Sequence, residues 1–185
     1  MTAGAGRWIA VLFLALALVP IAARFGAEGY ILSLLTRAMI FAIAALSLDL
    51  LVGYGALVSF GHAAFIGIGS YAVGMLASHG VDNILVQIIA ALIAAAAFAA
   101  VTGAISLRTT GVYYIMSTLA FGQMLFFLAV SLSAYGGDDG MSLAGRSRLF
   151  GADLLKSDRV FYYLVLALLI AVYVLLSRVI ASRFG

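Results

Sequence analysis

The sequence predicts an all-α, polytopic transmembrane helix bundle of about five to six spans, one of them a glycine-rich broken or re-entrant helix. Three observations predict it. Hydrophobic residues make up 66% of the 185 and charged residues only 9%, at a mean hydropathy of +1.23, which leaves too little polar surface to cover a soluble domain. Apolar runs of the length that a bilayer core demands follow one another, separated by short polar turns. The stretch LVGYGALVSFGHAAFIGIGSYAVGM, residues 51–75, is as apolar as its neighbours but is interrupted by Gly53, Gly55, Gly61, Gly67, Gly69 and Gly74, each of which weakens a helix by about 1 kcal/mol relative to alanine.

The first apolar run, 8–23, follows Arg7 and carries Pro20 near its far end. The small residues Ala22 and Ala23 after it imitate a signal-peptide cleavage site, but the rest of the chain is a string of spans and needs no separate export signal, so a retained helix is expected. Residues 31–52 form a second span and 57–78 a glycine-rich one that either crosses or re-enters. Hydropathy places three more at 84–106, 112–133 and 160–180. His79 to Asn83 and Arg108 to Gly111 are tight polar turns, too small to hold a domain. Residues 134–159 hold eight charged residues and five glycines, and are expected to be an extramembrane loop of a single transmembrane domain running the length of the chain.

Composition excludes several function classes. Cysteine is absent, which removes disulfides, thiolate metal sites and cysteine nucleophiles. The ten Lys and Arg, for a net charge of +3, lie at segment ends and in the loop, as membrane flanks do, so no nucleic-acid partner is expected and the bilayer is the first partner. Asp138 and Asp139 are adjacent on a glycine-rich turn, but they lack the alternating oxygen ligands of a calcium loop; they read as a solvated turn and no metal is assigned. No HExxH, GxSxG or phosphate-binding loop occurs, so neither a catalytic constellation nor a bound nucleotide is expected. Transport driven by ATP would need a separate ATPase.

Polar groups inside the spans mark candidates for a solute path. Asp49 is the one carboxylate in a strongly apolar run, and burying it as an ion costs about 2.5–3.5 kcal/mol even on the milder scale; alternatively it sits within a turn of the helix end and reaches the interface. Gln87, Thr118 and Gln123, with Ser117 and Gly122, either line a path or hydrogen-bond between helices. Gly55, Ser59, Ala63 and Gly67 recur every four residues, and Ser70, Gly74 and Ser78 continue a fraction of a turn away. On a helix these would form a stripe of small residues admitting a close neighbour. Gly53, Gly61 and Gly69 fall off that stripe and hint at a break facing a cavity. His62 either faces the path or ties two helices together.

The order of residues adds a resemblance. The runs LSLDLLVGYGALVSFGHAAFIGIGSYAVGML (46–76), LRTTGVYYIMSTLAFGQML (107–125), YGGDDGMSL (135–143) and SRFG (182–185) resemble, in order, motifs of the LivM/LivH-type permease subunits of branched-chain amino acid ABC transporters. The resemblance implies a multi-pass subunit of the bacterial inner membrane that pairs with a second permease subunit. It further implies two cytoplasmic ATPase subunits, which would bind the ATP, and a periplasmic solute-binding protein delivering branched-chain or related small amino acids or amides. Asp49 stands where the family commonly has Asn. Family members continue well beyond SRFG, so the chain is expected to be the N-terminal portion of such a permease. The resemblance also puts SRFG toward the cytoplasm and the 134–159 loop in the periplasm. Charge disagrees: with the N-terminus inside, Arg7, Arg108, Arg178 and Arg183 lie inside against Arg24, Arg37, Arg146, Arg148, Lys156 and Arg159 outside. A passive channel or an ion-coupled carrier using Asp49 is the alternative of another class.

Overall fold

The computed structural model describes residues 3–22, 28–55, 57–141 and 157–181. Among the described residues six α-helices succeed one another: α1 (Ala3–Ala22), α2 (Glu28–Asp49), α3 (Ala63–Ser78), α4 (Ile84–Ser106), α5 (Val112–Ser131) and α6 (Asp158–Ile180). A π-helical turn, Leu50–Tyr54, prolongs α2, and two short 3₁₀ turns, Ser133–Tyr135 and Gly137–Asp139, follow α5. Among the described residues no strand forms, and four helices are long and apolar enough to cross a membrane: Gly29–Gly53, Ile84–Ser106, Val112–Ser131 and Asp158–Ile180. Val11–Pro20 and Ala63–Ser78 are shorter apolar helices. The all-α membrane bundle stands. Most of the loop expected over 134–159, the SRFG motif and the Ala23 junction lie outside the described residues.

The glycine-rich segment is broken, one of the two forms that the sequence left open. It is helical only from Ala63, and at 16 residues α3 is about 24 Å long, short of a full hydrocarbon core. The interruption precedes it, through Leu57–Ser59 and a turn at Phe60–His62. The small-residue series is therefore no continuous stripe. Gly55 closes the π turn and Ser59 is in irregular chain, so only Ala63, Gly67, Ser70, Gly74 and Ser78 share a helix. Gly69 is interior to α3 and marks no break.

The residues group into two compact units. One, from Met1–Ser47 and Leu154–Gly185, has a core of Leu32, Met39, Tyr162, Val165, Leu166 and Leu169. Its least expected bond concerns Pro20, inside α1. Proline has no N–H, so the Leu16 carbonyl four residues earlier loses its helical donor. The fully buried Tyr162 of α6 donates its hydroxyl to that carbonyl at 2.7 Å. Tyr163 donates to the next one, Ala17, at 3.3 Å.

The other unit, Leu48–Asp153, packs α3, α4 and α5 against one another. Short connections make successive helices antiparallel, so α3 and α5 run parallel with their C-terminal ends on one side. The Asn83 side chain caps α4, accepting from the Leu85 amide at 3.1 Å. Gly111 precedes α5 at φ +59, a conformation that a side chain would oppose.

Candidate functional site

Among the described residues of the second unit, two cavities stand out. The larger, about 700 Å³, lies along α3 and α5 and is lined by Ala63, Gly67, Tyr71 and Met75 of α3, and by Leu119, Gly122, Gln123 and Phe126 of α5. The turn after α5 contributes Gly137, Asp138 and Gly140 at one end. The smaller, about 210 Å³, lies where the Leu57–His62 segment meets α4 and α5, and collects Ser59, His62, Thr102, Ser106, Tyr114 and Thr118.

Between the two cavities the backbone of the turn touches a helix. A side chain on Gly61 would run into the Thr118 carbonyl, and one on Gly122 would lie 3.5 Å from the Gly61 Cα. Glycine at 61 is thus a packing requirement: it lets irregular chain lie against α5 at backbone distance. The opposite holds at Gly67, where an added Cβ meets nothing within 4 Å and would point into open space. At Gly74 the thioether of Met141 occupies the place of a side chain, pinning the chain after the 3₁₀ turns onto α3. Tyr135, from the first of those turns, lies beside His79 with ring centroids 6.3 Å apart.

The structure separates the residues singled out by sequence. Gly61, His62 and Thr118 share the smaller cavity with Ser59, and Ala63, Gly67 and Gln123 line the larger. Asp49, Gly53, Gly69 and Gln87 line neither. Asp49 is exposed at the last position of α2, with its Oδ1 beside the Gly53 backbone, which agrees with its reading as a helix-end residue. Gln87 is buried, and its amide donates to the Val81 carbonyl at 2.8 Å, tying α4 to the turn before it. That bond is local to α4 and the turn before it. The hydroxyls of Ser70 and Ser78 donate to Ile66 and Met75 carbonyls of their own helix. His62 stands 6.0 Å from the Phe65 ring, which in turn meets Phe98 edge-on at 5.5 Å.

Several lining residues were missed from sequence. Ser106 is buried and receives a hydrogen bond from Ser117 at 3.1 Å, joining α4 to α5; Tyr114 and Thr102 reach the same cavity. A polar residue in each of two adjacent spans near their shared turn is a signal for such a pair, but helix rotation decides whether they meet.

A model of the family described as branched-chain amino acid transport system / permease component matches residues 30–185. The high-affinity branched-chain amino acid transport system permease protein LivM of Salmonella typhimurium is 30% identical over 148 residues, covering 79% of this chain and 35% of the relative. The chain thus spans about a third of that relative's length. No solved structure matches. Apolar helices of membrane length and this similarity identify a multi-pass inner-membrane protein. The chain belongs to the family of branched-chain amino acid transport permease components.

Proposed function

We propose that the chain forms part of the permease of an ATP-binding-cassette importer for branched-chain or closely related small amino acids. In this reading the solute moves along the cleft between α3 and α5. The single observation that carries it is the cleft itself: its volume of about 700 Å³ lies in the range of small-molecule sites, and its apolar walls with a few polar groups match an aliphatic side chain on a charged head. A second permease subunit, two cytoplasmic ATPase subunits and a periplasmic binding protein complete the importer. ATP would be bound and hydrolysed on the ATPase subunits, consistent with the absence of a phosphate loop from the sequence. Use of Asp49 by a channel or ion-coupled carrier has no support in the geometry, since Asp49 lines neither cavity.

The test is uptake by the full-length permease reconstituted with its partners. Gly67→Leu places a side chain in the cleft without a backbone collision, so it should abolish most ATP-dependent leucine uptake while the complex still assembles. Uptake at the unsubstituted rate would overturn the path. Gly61→Leu is less informative, because it collides with the Thr118 carbonyl and would report packing.

A further inference from the structure

The cleft is electrically lopsided. Among its lining residues Asp138 is the one that carries a formal charge at neutral pH, and it stands on the 3₁₀ turn Gly137–Asp139. The same end of the cleft is lined by Met75 from the last turn of α3 and by Leu128, Ala129 and Val130 from the last turn of α5. Two parallel helices therefore bring their C-terminal ends, each equivalent to roughly half a negative charge, to the end that holds the carboxylate. The opposite end reaches Phe60, Ala63 and Ala64, at the start of α3, about 24 Å away along a 16-residue helix. The amino and carboxylate groups of an amino acid share one carbon, so they cannot be held at the two ends at once. They arrive at one end together, and a negative end favours the pose that turns the ammonium toward Asp138 and the carboxylate away.

Resting on the reading of this cleft as the solute path, we propose that Asp138 and the C-terminal ends of α3 and α5 form an ammonium-selective station. It accepts an alkylammonium group beside a branched aliphatic chain and turns away the corresponding carboxylate. The apolar wall of Ile68, Leu119, Leu125 and Phe126 takes the aliphatic part, and the exposed Asp138 carboxylate supplies the charge discrimination. Asp139, exposed like Asp138, does not line the cleft, which makes it the natural control.

The experiment separates this station from transport itself. Full-length permease complex, assembled without the binding protein, is titrated calorimetrically with isopentylamine and with 4-methylpentanoate, the same chain bearing each charged group alone. The amine is expected to bind and the acid not. Asp138→Asn should weaken amine binding about tenfold, the value of one charge-assisted hydrogen bond, and Asp139→Asn should leave it within twofold. Equal binding of amine and acid, no amine binding at all, or equal losses from both variants would each overturn the station. ATP-dependent leucine uptake is measured on the same preparations. Absent uptake alongside selective amine binding would refute the importer reading and leave the station standing, whereas normal uptake with unselective binding would do the reverse.

Discussion

At the scale of single residues, glycines that look alike in the sequence do different work. Gly61 is held by contact, because its missing side chain is where the Thr118 carbonyl lies, whereas Gly67 borders empty space. Gly61→Ala should therefore destabilise the protein by about 1–3 kcal/mol through overpacking. Gly67→Ala should stabilise it by about 0.5–1 kcal/mol, since it replaces glycine inside a helix without a clash. Reversible unfolding in mixed micelles checks both, and equal effects at the two sites would contradict the contact. The distinction was only half legible beforehand. Spacing had assigned Gly67 to a packing stripe and Gly61 to a break, but Gly61 packs more closely, and spacing within one segment carries no information on what lies opposite. Asp49 was readable, because its nearness to a run's end is a property of the sequence; Gln87 was not, because its bond to Val81 requires the turn to fold back over α4.

At the scale of elements, α1 is completed by α6. Pro20 announces in the sequence that the Leu16 carbonyl lacks a donor; the fold supplies Tyr162, 146 residues away. Tyr162→Phe should cost about 1–2 kcal/mol, the upper part of the range for hydrogen bonds between membrane helices, because no backbone donor can replace it. In a Pro20→Ala background residue 20 regains its amide, and the cost of Tyr162→Phe should fall by at least half. A double-mutant cycle on unfolding measures this coupling, and additive effects would show that the phenol is not substituting for the missing amide. The turn before α4 offers a milder case. Asn83→Ala removes the side-chain acceptor for the Leu85 amide and should lower stability by about 1 kcal/mol, with Asn83→Asp restoring most of it.

At the scale of the whole molecule, the chain has no native cysteine, so single introduced thiols report on access without background. Gly67→Cys and Gln123→Cys border the larger cavity, while Ile93, on α4, is 66% exposed and lines neither cavity, as a lipid-facing side chain would be. A small water-soluble thiol reagent should label the first two far faster than Ile93→Cys; similar rates would mean that the cleft is filled by lipid or protein. Thr109→Cys and Asp139→Cys flank opposite ends of α5 and should be labelled from opposite sides of the membrane, which settles the orientation that the charge count left adverse. The sequence by itself determined the class and the kinship: apolar runs of bilayer length can bury their backbone polar groups only as helices, and the order of motifs over residues 46–185 carries the family. Only the tertiary structure decided which polar groups share a cavity, where the glycine segment breaks, and that Asp138 lines the cleft. Those depend on helix rotation and on contacts between distant segments, and in a membrane nearly every side of such a helix is apolar, so hydrophobic periodicity gives no sign of which face turns inward.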